Sequence, residues 1–329
     1  VQDGGYFREL IAIGSFLVVF GHMMLSLCHE YWQVLLAQGF CIGFGFACLF
    51  VPSVAILSTY FTTKIAAATG LAASGSSLGG VLYPIILNQL IPKVGFPWAV
   101  RTIGFICLGT LLIPNIVMKV RVLPPSRRAL FDPLAFKNIP FVVFCISSFT
   151  TFIGLFQPFF FVQGFTIAKN LTSENLAFYL LSILNATSVF GRIVPNILAD
   201  KIGPFNVIVP CAIVTGILIL TLLAVHNLGG IIVFVLLFGF FSGSLVSLPP
   251  TVVVHLTEDR RFIGTRMGMC FAFTAIGALV STPIGGALLK VHNDFWPTWL
   301  FGGVLSLVGG ILMGVSRGLF KGWNIMTKA

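Results

Sequence analysis

Arg192 is the one Lys or Arg, of nineteen, that falls inside a long apolar run away from its first turn. At lipid depth such a charge costs at least about 2.5–3.5 kcal/mol, so it must face protein or a water-filled cavity. Its planar guanidinium suits a carboxylate gripped by two parallel hydrogen bonds. The competing use is bracing, against Asp200 or helix carbonyls near the end of the run. Asn185, Ser188 and Arg192 stand at i, i+3 and i+7, which puts all three on one helix face. A second group, Phe156-Gln157-Pro158-Phe159-Phe160-Phe161, combines a helix-kinking proline, an amide with donor and acceptor, and rings that either line a cavity or pack. Asp3, Arg8, Asp200 and Lys201 fall on turns, as do Glu258-Asp259-Arg260-Arg261. They are expected to make charge pairs that open and close, against the alternative of solvated loop charges worth little each. Asn170-Leu171-Thr172 is a glycosylation sequon.

Other chemistry is missing from the text of the chain. The seven cysteines have no metal-ligand spacing and read as small apolar fillers. No H-E-x-x-H, G-x-x-x-x-G-K-[ST] or G-x-S-x-G occurs, so neither an enzyme nor a nucleotide or cofactor site is expected.

The elements that position these residues follow from composition. The chain is 57% hydrophobic and 9% charged, against about 25% charged in soluble domains, and its mean hydropathy is +1.03. So few polar groups cannot cover a surface in water, which excludes a soluble enzyme and a nucleic-acid-binding module and makes the lipid bilayer the solvent. Ten runs reach the roughly 20 apolar residues a spanning helix needs: Leu10–Leu27, Val34–Tyr60, Ile65–Ile91, Trp98–Val117, Ile139–Phe165, Leu176–Leu198, Phe205–Val225, Ile231–Leu256, Met267–Leu289 and Trp296–Val315. The alternation of an outer-membrane barrel is missing, so the expected fold is an all-α polytopic helix bundle. Fourteen of the Lys and Arg fall in loops of one side and four on the other. The excess marks the cytoplasmic side, which holds both termini, and a plasma-membrane location is expected.

The chain also repeats at an offset of 198: Gly45 with Gly243, Pro52 with Pro250, Gly70 with Gly268, Gly79 with Gly277, Trp98 with Trp296, Gly104 with Gly302. Asp3 and Asp200 pair at 197 and each opens an Asp-to-Gly turn. Two spans precede Asp200 after the central loop and none precedes Asp3. The repeat therefore predicts six spans per half and twelve in all, with about 60 residues ahead of Val1. It divides the chain into a first half-bundle at 1–118, a cytoplasmic linker at 119–138 and a six-span half-bundle at 139–329.

Two six-span halves with acidic-Gly turns resemble the major facilitator superfamily. Asp3-Gly4-Gly5-Tyr6-Phe7-Arg8, the run Thr69-Gly70-Leu71-Ala72-Ala73-Ser74-Gly75-Ser76-Ser77-Leu78-Gly79-Gly80, and Gly191-Arg192 through Ala199-Asp200-Lys201-Ile202-Gly203 are similar to its monocarboxylate-transporter-like fungal branch, with this chain as spans 3 to 12. The resemblance implies a secondary transporter working by alternating access. Its solute is a small organic anion or a related carboxylated or aromatic metabolite, and Arg192 binds it. In the animal carriers the position four before that Arg is a proton-coupling Asp; here it is Ser188, which favours a facilitator or exchanger. The alternatives are an efflux carrier for a fungal secondary metabolite and, in another class, a non-transporting nutrient sensor.

Overall fold

The computed structural model describes residues 7–61, 63–119, 131–324 and 327–328, and every regular element among them is a helix. In chain order they are α1 (Phe7–Leu25), α2 (Tyr31–Val34) continuing through a π-helical stretch (Leu35–Ile42) into α3 (Gly43–Tyr60), α4 (Ile65–Val117), α5 (Ile139–Ala168), α6 (Glu174–Ile202), α7 (Pro204–Thr221), α8 (Leu228–Ser247), α9 (Pro249–Leu256), α10 (Ile263–His292) and α11 (Trp296–Lys321). Nine of the described helical stretches are long and apolar enough to cross a membrane.

One of the nine, α4, has 53 residues. At 1.5 Å per residue it is about 80 Å of helix, more than two crossings of a hydrocarbon core of about 30 Å. Its backbone breaks at Gly95, with φ 74° and ψ 166°, a conformation open to glycine because it lacks Cβ. The two expected runs, Ile65–Ile91 and Trp98–Val117, lie on either side of this break. The connection between them was expected to be a loop and is instead helical on both sides of one residue. Pro92 is tolerated at the end of the first segment, and Pro97 falls in the opening turn of the second, where its missing N–H costs nothing.

Most helices outrun their apolar cores because polar residues close the ends. Asn138, Ser173 and Asn227 accept the backbone N–H of Phe141, Leu176 and Gly230, capping α5, α6 and α8. Asp200 and Lys201, expected on a turn, are therefore in the last turn of α6, and Gly203 at φ 101° ends it.

Contacts group the chain into two compact units. One holds Val1–Thr62, Leu82–Leu130 and Arg261–Gly264; the other holds Thr63–Val81, Phe131–Arg260 and Thr265–Ala329. In the first, α1 lies against α3 and the π-helical stretch: a methyl on Gly14 would press on Cys48 and Leu49, and one on Gly45 on Val18. Asn115 donates to Ser15 and Arg101 to Ser26, tying the second segment of α4 to α1. In the second unit α5 packs on α11, α6 on α8 and α7 on α11. Small residues set these approaches: the space a side chain on Gly154 would need holds the carbonyl of Gly302 and the hydroxyl of Ser306. In lipid, where apolar burial drives nothing, such close backbone packing is a main source of helix association.

The described part of the linker, 131–138, is ordered. Asp132, 3% exposed, caps the turn Pro133–Lys137 and pairs with Arg266 at 2.9 Å, and Arg266 also donates to the Leu256 carbonyl. At the opposite ends of α5 and α10 a second pair, Lys169–Asp294 at 3.1 Å, is half exposed. The Lys169 ammonium, followed by the Phe295 N–H, holds the Asp294 carboxyl below its ordinary range. A depressed carboxyl pKa stabilises the fold above the unfolded value, about 3.9, and that contribution disappears as pH falls through the folded value. Asp294→Asn is thus expected to lower the unfolding midpoint slightly at neutral pH, by the equivalent of at most about 1 kcal/mol for an exposed pair, with no difference from the parent protein well below pH 4. Thermal unfolding of the two proteins at the two pH values checks this.

Candidate functional site

Arg192 lies in α6, nineteen residues into a helix of 29, and is 8% exposed. Its Nε donates to Ser188 Oγ at 3.3 Å, and its Nη1 donates to the Ala73 carbonyl at 2.8 Å and to Ser76 Oγ at 2.5 Å. Ser77 Oγ meets Ser188 Oγ at 3.2 Å. Ala73, Ser76 and Ser77 belong to the opening part of α4, within Thr63–Val81, which falls in the same unit as α6. The approach is close: a methyl on Gly70 would collide with the Arg192 carbonyl, and one on Gly80 with the amide of Asn185. The glycines and serines of Thr69–Gly80 thus form the wall that the α6 polar face reads.

Among the described residues no carboxylate pairs with Arg192, and its Nη2 makes no hydrogen bond to protein. A guanidinium at this depth has its charge met by one carbonyl and two hydroxyls, all neutral. Such a group is set up to take an anion, because one charge-assisted bond there replaces hydration already lost.

Of the other residues singled out on α6, Ser188 is buried beside Arg192, and the Asn185 amide donates to the Leu181 carbonyl at 3.0 Å. The same face continues one turn further than the sequence reading took it. Asn196, buried, donates to the Arg192 carbonyl and to Ser247 Oγ of α8, both at 2.6 Å. Its Oδ1 is buried with no partner among the described residues. The signal was present, since 196 extends the 185, 188, 192 spacing; Ser247 offered none.

Gln157 sits elsewhere, fully buried among α5, α10 and α11. Its Nε2 donates to the Ser281 carbonyl at 2.7 Å, Ser281 Oγ returns a bond to the Ile153 carbonyl, and Gly285 and Gly302 leave the space its side chain fills. Phe156 is half-buried in a ladder of rings with Phe152, Phe159 and Phe160, and Phe159 passes it on to Phe238. The polar bonds of Gln157 run to α10 rather than toward Arg192.

Asp200 makes the second notable contact. Its carboxylate accepts the N–H of Ala66 through Oδ1 and of Ala67 through Oδ2, both at 2.9 Å. These are first-turn donors of α4, which have no acceptor inside their own helix. A charge pair was expected here; the partner is a helix N-terminus, whose partial positive charge does the same work without a side chain. Lys328 Nζ donates to the Asp200 carbonyl at 2.6 Å. Lys201 and Arg8 are exposed and form no ion pair among the described residues. Asp3 lies outside the described residues. Asn170 is exposed at φ 51° in the five-residue connection 169–173 between α5 and α6.

A family model described as the Major Facilitator Superfamily matches this chain over residues 6–195 and again over 141–319. The MFS-type transporter dbaD of Emericella nidulans is 54% identical over 95% of this chain and 71% of its own length. The aspyridones efflux protein apdF of the same fungus is 37% identical over 93% of this chain and 63% of its own. Among solved structures, the E. coli fucose:proton symporter FucP aligns with a TM-score of 0.74 at 14% identity, covering 94% of this chain and 84% of that one. The human organic anion transporter MFSD10 aligns at 0.74 and 13%, covering 95% and 78%. The chain belongs to the major facilitator superfamily, and is an integral, multi-pass membrane protein with the fold of its transporters.

Proposed function

We propose that this protein exports a small, acid-bearing organic metabolite across the plasma membrane by alternating access, with both termini cytoplasmic and Arg192 holding the acid. The observation that carries the reading is the buried Arg192 guanidinium, with no carboxylate against it and one nitrogen uncommitted among the described residues. Ser188 and Asn185 flank it on the same helix face, and the likeness of Gly191-Arg192 to the monocarboxylate-type carriers supports an acidic solute. Relatives named for efflux, of aspyridones and of agnestins, support outward movement of a metabolite. The moving bodies are the half-bundles 1–118 and 139–329 joined by 119–138. Ala66, Ala67, Ala73 and Ser76 come from the first of these in sequence, so their bonds to Asp200 and Arg192 are the contacts that gating must break and remake. The described carboxylates lie in loops or at helix ends, which fits a facilitator or exchanger better than a proton symporter with its acid at position 188.

The test is export from yeast cells expressing the protein and preloaded with a panel of aromatic and aliphatic carboxylic acids and their neutral amides. Faster appearance of acids outside than from vector-only cells, with amides unchanged, is the expected result. Equal rates for acids and amides would remove the acid-binding role.

A further inference from the structure

The second unit contains a cavity far from the Arg192 cluster. It has a volume of about 340 Å³ and is bounded by the ends of α5 and α7, the connection after α7, and the start of α11. α6 begins five residues after Lys169, at Glu174, and reaches Arg192 eighteen residues later, so about 27 Å of helix separates the two places. The floor is aromatic. Phe165 and Trp299 are buried and meet edge to face at 5.6 Å, and Phe295 lies nearly parallel to Trp299 at 6.1 Å. Trp299 is 1% exposed, and its indole N–H has no acceptor among the described residues. The mouth is polar, with Lys169, His226 and Asp294, and Trp296 stands beside it as a half-exposed wall.

We propose that this cavity is a binding site for a small aromatic carboxylate, distinct from the Arg192 cluster. The volume takes a single ring system, at the lower end of the roughly 300–1,000 Å³ range of ligand pockets. The ring lies against Phe165 and the two tryptophans, where offset and edge-on contacts are favourable. The carboxylate takes Lys169, whose ion-pair partner among the described residues is the partly exposed Asp294, and His226 lines the same mouth. The mouth offers two nitrogen-bearing side chains, Lys169 and His226, against the single carboxylate of Asp294, which selects an acceptor-bearing, negatively charged ligand over a cation. Asp294 is then the ligand's rival for Lys169. The site needs no transport step, and its failure or success is separate from the export reading.

Benzoate titrated into the nanodisc-reconstituted protein, with tryptophan emission as the readout, tests this. The expected result is saturable quenching that falls strongly in Trp296→Phe. Lys169→Gln weakens the apparent affinity about tenfold, the loss of one charge-assisted contact, while Asp294→Asn tightens it by removing the rival. Both substitutions remove the same Lys169–Asp294 pair, so a shared effect on the fold would move binding in one direction, and the opposite signs are the signature of the site. Benzamide binds at least tenfold more weakly than benzoate. The proposal is overturned by any of four results: no saturation up to about 10 mM, equal binding of benzamide, weaker binding in Asp294→Asn, or phenylalanine binding more tightly than benzoate. The last would mean a zwitterion that uses Asp294 as an anchor. Quenching that disappears in Arg192→Met and survives in Lys169→Gln would place the ligand at the other cluster and likewise overturn it.

Discussion

Arg192→Met sharply reduces export of acidic solutes at low concentration and leaves the protein folded. The reasoning separates what Arg192 holds from what depends on it. Each of its protein partners has another bond: Ser76 Oγ donates to the Ala73 carbonyl at 3.0 Å, Ser188 Oγ meets Ser77 Oγ at 3.2 Å, and the Ala73 carbonyl faces the i+4 amide within α4. Removing the guanidinium therefore orphans no buried group, and it lifts the cost of a desolvated charge with no anion beside it. The unfolding midpoint should move by the equivalent of no more than about 1 kcal/mol. A hydrogen bond to a charged group is worth about 1.5–3 kcal/mol, so the apparent affinity for an acid should fall roughly 10- to 150-fold, with flux at low solute concentration falling in step. Arg192→Lys keeps the charge but loses the planar fork and the reach of Nε to Ser188, and should retain part of the flux. Export assays paired with thermal unfolding of the purified variants decide it. A large drop in midpoint together with lost flux would make Arg192 a brace; normal flux in a well-inserted Arg192→Met protein would end its role in binding.

How much of this was legible beforehand depends on which group carries the signal. The apolar runs were plain because about 20 consecutive lipid-compatible residues leave little else to read, and Arg192 stood out because charge is expensive there. Its surroundings were not legible. Apart from Ser188, four residues back on the same face, the acceptors come from α4, more than a hundred residues away in sequence, and one is the backbone carbonyl of Ala73, which no residue type announces. The same limit hid the partners that Asp200 has in this structure, a pair of alanine amides, where residue types alone suggest a charge pair. Gln157 is a different case. Its amide suggested a solute ligand, but the void it fills is made by the missing side chains of Gly285 and Gly302, and complementarity of that kind exists only after α5, α10 and α11 have packed. Gly95 turned a predicted loop into a joint between two helices because one residue at positive φ is enough to restart a helix at Pro97.

Asp200→Asn is the second substitution with a large expected effect, and its logic is that of a latch. The carboxylate satisfies two of the four first-turn donors of α4 and places a full negative charge at that helix's positive end. Asn keeps one acceptor oxygen and loses the charge. A helix-terminal charge in a partly buried setting is worth up to about 2 kcal/mol, so a two-state equilibrium that makes and breaks this contact should shift by as much as about 30-fold toward the broken form. A shift in either direction away from balance slows a cycle that must visit both forms, so export falls by about tenfold in Asp200→Asn and further in Asp200→Ala, which has no acceptor at all. Asp200→Glu keeps the charge and should recover part of the flux. Lys201→Ala and Arg8→Ala, at exposed residues without ion pairs among the described residues, should change flux little. Hydrogen–deuterium exchange at Ala66 and Ala67 supplies the readout that a mere loss of stability would not move, because exchange there should speed up in Asp200→Asn while protection in α8 and α11 stays as it was. Unchanged exchange at these two amides, or undiminished flux, would show that the contact is not part of the transport cycle.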